Sequence, residues 1–327
     1  MKSAFSIAFI FFAYLLPAQY SYDFINQPVS ASSSMAGGKL VSSTYVDLGV
    51  WMDNPGLMDS TVAQTMSVAV NPYFSDINRY VFTSSFKHRK IDHLMVGVNY
   101  NSYGNFQRRD VAGNLEGEFT GRSYVIQVGA AHQLSFFTIG ASLKYAGLSI
   151  SNTQASLALM DLGGAFRSPN EQIVIGLSIK NFGIILEEPA TLESSRLPFD
   201  VVAGVSVKPQ YMPFRFTVTA YDLPRFSEIV VPVELQRDGF FAPALRYVNP
   251  SVSLMVQQLF EFQLGYNYRI NETLRLENRA FGAGWSFGFK LMLDRMQIMM
   301  ARNTYQAAGG TTFLTLQTHF NTIKNIF

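Results

Sequence analysis

The sequence predicts an all-β protein: a transmembrane antiparallel up-and-down β-barrel of about 14 strands with an N-terminal plug segment. Three observations predict it. Segment after segment alternates large apolar residues with Gly, Ser, Thr and charged residues, the period of a strand that separates two environments. Charged side chains make up 15% of the chain and mean hydropathy is +0.12, where a soluble domain averages roughly 25% charge. After the N-terminal segment, no run is long and apolar enough for a helix to cross a bilayer.

Composition excludes several other classes. The absence of Cys removes disulfide scaffolds and thiol-based zinc or redox chemistry. A net charge of +2 offers no bulk field to draw the protein onto nucleic acid.

Residues 1–18 read as a secretory signal peptide. Lys2 supplies the positive start, Ala4 to Leu16 is uncharged and apolar, and Pro17-Ala18 precedes Gln19. The apolar stretch is too short for a spanning helix, which needs about 20 residues. Residues 19–60 alternate poorly, and Ser30-Ala31-Ser32-Ser33-Ser34-Met35-Ala36-Gly37-Gly38 is small and able to bend tightly. Such a segment suits a plug lying inside a lumen; the alternative is an unstructured linker. The barrel is assigned to 61–327.

Strands are expected at 62–71, 78–87, 93–107, 117–132, 136–151, 155–166, 172–182, 199–207, 214–222, 240–248, 258–269, 280–291, 296–304 and 312–321. Phe137, Ile139, Leu143 and Tyr145 alternate with Thr138, Gly140, Ser142 and Lys144. Ile173, Ile175, Leu177 and Ile179 oppose Gly176, Ser178 and Lys180, and Val201, Ala203, Val205 and Val207 oppose Gly204, Ser206 and Lys208. Phe214, Phe216 and Val218 oppose Arg215, Thr217 and Thr219. Phe260, Phe262, Leu264, Tyr266 and Tyr268 alternate with Glu261, Gln263, Gly265, Asn267 and Arg269, and Phe281, Ala283, Trp285, Phe287 and Phe289 with Gly282, Gly284, Ser286, Gly288 and Lys290. In a membrane barrel the aromatic-rich face meets lipid and the other lines a polar lumen. Lys144, Lys180, Lys208, Arg215, Glu261, Arg269 and Lys290 are therefore the lumen candidates. Either the cations hold an amphipathic acid, or they pair with inward acids such as Glu261 and the plug's Asp23.

Connections after even-numbered strands are mostly tight and those after odd-numbered strands include long ones, Gly183 to Pro198, Asp222 to Gly239 and Ile270 to Arg279. Short periplasmic turns and long external loops are the rule, so both chain ends are expected in the periplasm. Glu187, Glu188 and Glu193 of the first long loop are partner-binding candidates.

Enzymatic readings fare poorly. None of the four His lies in a G-x-S-x-G elbow or an H-E-x-x-H helix. His88 and His93 flank Lys87-His88-Arg89-Lys90 and fit a solvated turn against lipid phosphates better than a metal pair. No metal or other cofactor is expected.

Tyr22-Asp23-Phe24-Ile25-Asn26, the Ser-rich run closing in Ala36-Gly37-Gly38, and Asn54-Pro55 resemble the N-terminal signature of outer-membrane barrels related to the FadL fatty-acid channel. Arg196-Leu197-Pro198-Phe199-Asp200, Leu264-Gly265-Tyr266-Asn267-Tyr268-Arg269, Glu277-Asn278-Arg279 and Gly284-Trp285-Ser286-Phe287-Gly288-Phe289 resemble the PorQ family of the Bacteroidetes type IX secretion system. Two departures stand out: no Arg precedes the double Gly, and Gly56 follows Asn54-Pro55 where the pattern has Ala. The resemblance implies plug contacts by Asp23, Asn26, Gly37, Gly38, Asn54 and Pro55. It also implies a non-enzymatic outer-membrane role: holding a surface protein of the PorZ type in an attachment complex with the PorU sortase and the PorV barrel. The alternative is a FadL-like channel for a hydrophobic or amphipathic small molecule.

Overall fold

The structure is a computed structural model that describes residues 22–43, 47–59, 62–88, 91–188, 196–226, 241–257, 259–274, 282–306 and 309–320. The signal peptide at 1–18, Glu193, Phe281 and the Glu277-Asn278-Arg279 motif lie outside the described residues.

Fourteen strands close into an antiparallel barrel in chain order: β1 (Thr65–Pro72), β2 (Asn78–Lys87), β3 (His93–Arg109), β4 (Leu115–Leu134), β5 (Phe137–Ile150), β6 (Thr153–Arg167), β7 (Ile173–Glu187), β8 (Asp200–Val207), β9 (Phe214–Ala220), β10 (Val248–Val256), β11 (Phe260–Tyr266), β12 (Trp285–Met292), β13 (Met296–Gln306) and β14 (Gly309–His319). β1 completes the circle against β14, from Thr65 opposite His319 to Val70 opposite Leu314. Closure satisfies every ladder; in hydrocarbon an unpaired peptide group would cost several kcal/mol.

The alternation sorts the two faces as expected. Leu143 (66% exposed), Val128, Leu177, Phe262 and Phe287 point outward, while Gln127, Ser142, Lys144, Ser178 and Lys180 are buried inside. Aromatic pairs mark both ends of the outer wall: Phe137 with Phe166 and Phe86 with Phe320 at one end, Tyr124 with Tyr145 and Tyr266 with Trp285 at the other. Amphipathic rings concentrate at the two interfaces of a bilayer.

Three expectations need correction. The tenth strand is not 240–248: Ala242–Leu245 forms a short helix, α2, and β10 starts at Val248. Pro250 lies within β10 with its ring outward, and because proline disrupts a ladder the sequence hid a strand whose Val248, Val252, Leu254 and Asn249, Ser251, Ser253 alternate cleanly. Next, β11 stops at Tyr266, and the chain turns into helix α3 (Tyr268–Leu274), so Tyr268 is buried and Arg269 leaves the wall. Finally, β12 starts only at Trp285, which leaves Ala283 buried rather than facing outward.

Residues 22–43 and 47–59 fold inside the barrel. Helix α1 (Ala31–Met35) is capped by Ser30, whose side chain accepts from the Ser33 amide at 3.2 Å. Two 3-10 turns follow at Leu48–Met52 and Pro55–Leu57, capped by the side chains of Asp47 and Asn54.

Candidate functional site

The lumen divides along its axis. Toward the end carrying the short turns and the first and last strand termini, the plug builds an apolar core. Met35, Leu48, Val50, Trp51, Leu57 and Met58 are fully buried there against Met95, Val174, Met299, Ala301 and Phe313 of the wall. This differs from the polar lumen read from the wall alone. The plug supplies the apolar half of the core, and its residues show no period because it packs on all sides.

Close approach explains the glycines. The Asn54-Pro55-Gly56 turn sits backbone against backbone on β5 and β6, and a Cβ on Gly56 would stand 2.6 Å from the Gly164 Cα. A Cβ on Gly176 would run into the Val41 carbonyl oxygen. Asn54 locks the turn by donating to the carbonyls of Val41 (3.0 Å) and Gly164 (3.2 Å) while accepting from the Gly56 amide (2.9 Å). Gly37 and Gly38 have φ of +89° and +107°, left-handed values that glycine adopts freely. The Gly37 carbonyl accepts from Asn249 (2.9 Å) and Asn267 (3.1 Å), fixing the plug to β10 and to the start of α3.

Several of the inward charges are paired. Lys180 meets Asp53 of the plug at 2.6 Å, and Asp53 also accepts from the Ser33 hydroxyl at 2.8 Å. Burial pushes the Asp53 carboxyl up, but Lys180, Lys39 and the hydrogen bond from Ser33 outweigh it and hold the group below the usual carboxylate range. Lys144 meets Asp161 at 2.5 Å, Arg215 meets Glu261 at 3.0 Å, and Lys290 approaches Glu261 at 3.7 Å. Asn181, left-handed at φ 60° where the β6–β7 register shifts, ties the Lys144–Asp161 pair to the plug and to the segment before β8. Its amide donates to Asp161, its side chain accepts from Lys144, and its NH2 donates to Asn26 and to the Pro198 carbonyl.

Four of the seven lumen candidates are thus core cations, Lys144, Lys180, Arg215 and Lys290, and Glu261, a fifth, is the acid that Arg215 and Lys290 share. Asp23 is not their counterion; it lies exposed near the opposite mouth, and Asp53 and Asp161 take that part. The sequence reading missed both: Asp161 could have been found as an acid in mid-strand, whereas Asp53 sits in the aperiodic plug. Lys208 falls just past β8 in a short turn, where its amide donates to Gln172, and so does not line the lumen core. His93 is buried in the wall rather than solvated. His132 pairs with Asp92 at 2.9 Å, and His319 bonds Thr65 at 2.9 Å.

The other end of the lumen opens into a vestibule of about 580 Å3. Its floor is plug: Gln27, Pro28, Gly37, Gly38 and Lys39. Its walls are the mouth ends of the strands and the long connections, including Tyr73, Tyr221, Asp222, Asn267, Arg269, Asn303 and Tyr305. Arg269 reaches Asp222 at 2.5 Å and lies over the Tyr221 ring at 4.7 Å, while Arg225 reaches Asp222 at 3.3 Å. Asp222 is itself left-handed, and its amide is held by Asp200 of the Arg196–Asp200 motif. Beside the mouth, Tyr22, Phe24 and Ile25 pack on Val125, Ala146, Leu157 and Leu159 of the tall wall. β7 runs on to Glu187, so Gly183 to Glu187 is strand rather than loop, with Glu187 exposed at its end and Glu188 exposed just beyond it.

A plugged, closed antiparallel barrel with an apolar exterior is a membrane-spanning barrel of the outer-membrane type. The Ralstonia pickettii toluene transporter TbuX shares this fold, with a TM-score of 0.53 at 12% identity over 91% of this chain and 100% of that one. The TodX monoaromatic hydrocarbon channel, as a deltaS2 mutant, gives 0.49 at 12% identity over 88% and 96% of the two chains, and a Pseudomonas aeruginosa FadL homologue gives 0.44 at 9% over 94% and 99%. At such identities the likeness is one of fold. No family model and no curated protein matches the chain.

Proposed function

We propose that this chain is a non-enzymatic outer-membrane scaffold of the type IX secretion system. In this reading both chain ends face the periplasm, the long-loop mouth faces outward, and that mouth holds a PorZ-like surface protein in a complex with PorU and PorV. One observation carries the choice of scaffold over channel: the plug is keyed into the wall through the Gly56–Gly164 backbone contact and the buried Lys180–Asp53 pair, which makes the lower lumen a packed core. The motif resemblance supplies the partner. The test is a pulldown in mild detergent together with a deletion strain. Co-isolation of a PorZ-like protein and loss of surface-attached cargo support the scaffold; a deletion strain that displays its cargo normally contradicts it.

A second reading, a channel for a hydrophobic or amphipathic small molecule, is favoured by the fold shared with a toluene transporter. Hydrophobic ligand retained in the lumen on purification supports it.

A further inference from the structure

We propose that the vestibule is a saccharide-binding site, entered from the long-loop mouth and sized for one or two sugar rings. A sugar presents a flat C–H face and a rim of hydroxyls that both donate and accept. Tyrosine rings suit the first, and planar amide or charged groups the second.

Both kinds of group converge here. Tyr73 and Tyr305, both half-buried, stand edge-on at the cavity with centroids 5.8 Å apart and are the rings a sugar face would meet, whereas Tyr221 is buried beneath Arg269. Asn303 is 7% exposed, and its Oδ1 has no hydrogen-bond partner among the described residues. The Lys39 Nζ on the floor is likewise buried and without a hydrogen-bond partner among them. Both atoms are covered in this structure, so a side-chain rotation brings them to the cavity, where ligand hydroxyls would satisfy them.

The volume of about 580 Å3 falls within the roughly 300–1,000 Å3 of small-molecule sites. A hydrocarbon fits the lining badly. Its aliphatic side chains are Pro28 and Ile270, and an apolar ligand would strip water from the amides and charges around it. The inference stands apart from the scaffold reading, because it concerns a pocket closed below by the plug and needs no protein partner.

The test is calorimetric titration of the full chain in a detergent without a sugar headgroup. The probes are glucose, galactose, maltose, lactose and glucuronic acid, with a lactose-headed glycolipid in nanodiscs as a second arm to separate free sugar from a lipid headgroup. Saturable binding in either arm, weakened tenfold or more by Asn303→Ala and by Tyr305→Ala, supports the site. Ile270→Trp, which fills the cavity from its rim, serves as the third variant should either of those fail to fold. No saturation by any sugar in either arm, binding untouched by these substitutions, or toluene taking the same site with the same sensitivity overturns it.

Discussion

The two halves of the lumen are lined by the same strands, yet they are built on different physics. In the lower half the plug meets the wall at backbone distance, through glycines and fully buried side chains, and every charge named there has a partner within salt-bridge reach. In the upper half the plug is only a floor, and tyrosines, amides and an Arg–Asp–Arg cluster surround open space. One half resists any change of volume. The other is free to accept something.

That contrast ranks the expected effects of substitution. Trp51→Ala should be the most damaging, since removing a fully buried aromatic from a packed core costs about 3–5 kcal/mol; thermal or denaturant unfolding in detergent micelles measures it. Asp53→Ala should cost nearly as much, about 3–5 kcal/mol, because Lys180 is left buried and unpaired. The double substitution Asp53→Leu with Lys180→Met should recover most of that loss, and failure to recover it would show that the pair does more than cancel charge. The lock also carries a pH sign. The folded Asp53 value lies below the unfolded one, so its contribution is present above about pH 4 and is lost as pH falls through the folded value. Unfolding midpoints measured across that range should fall toward acid for the native chain and much less for the double variant.

Gly56→Ala comes next, at about 1–3 kcal/mol, because the added Cβ meets wall backbone that cannot swing aside. In the vestibule, Asn303→Ala should change stability by less than about 1 kcal/mol, since it deletes an acceptor without a partner among the described residues. A vestibule change as costly as Trp51→Ala would erase the distinction between the halves. The smallest effect is expected at Asp92, an exposed turn residue whose carboxyl is held below its usual range by the Gln133 amide first and His132 after it. Asp92→Asn should leave the midpoint nearly unchanged at neutral pH.

What the sequence made legible follows the same division. The outer wall was readable because lipid on one side and core on the other impose a strict period of two, so Phe137 to Tyr145 and Ile173 to Ile179 could be assigned directly. Lys144, Lys180, Arg215, Glu261 and Lys290 were readable as inward charges for that reason. Their partners were less so: Asp53 and the apolar residues from Met35 to Met58 lie in a segment buried on every side, which has no period to read. Arg269 was misplaced because the alternation of β11 runs on into Tyr268, while the chain itself turns into α3 after Asn267. The vestibule gathers residues from the plug, the connection after β9, α3 and β13, a convergence that exists only once the barrel closes.

Planar-bilayer conductance tests the central claim most directly, that the plug makes the lower lumen a solid core. The native chain should show no steady conductance, whereas a chain lacking residues 22–59 should open a persistent, porin-like pathway. Steady conductance from the native chain, unchanged by deleting that segment, would contradict the account.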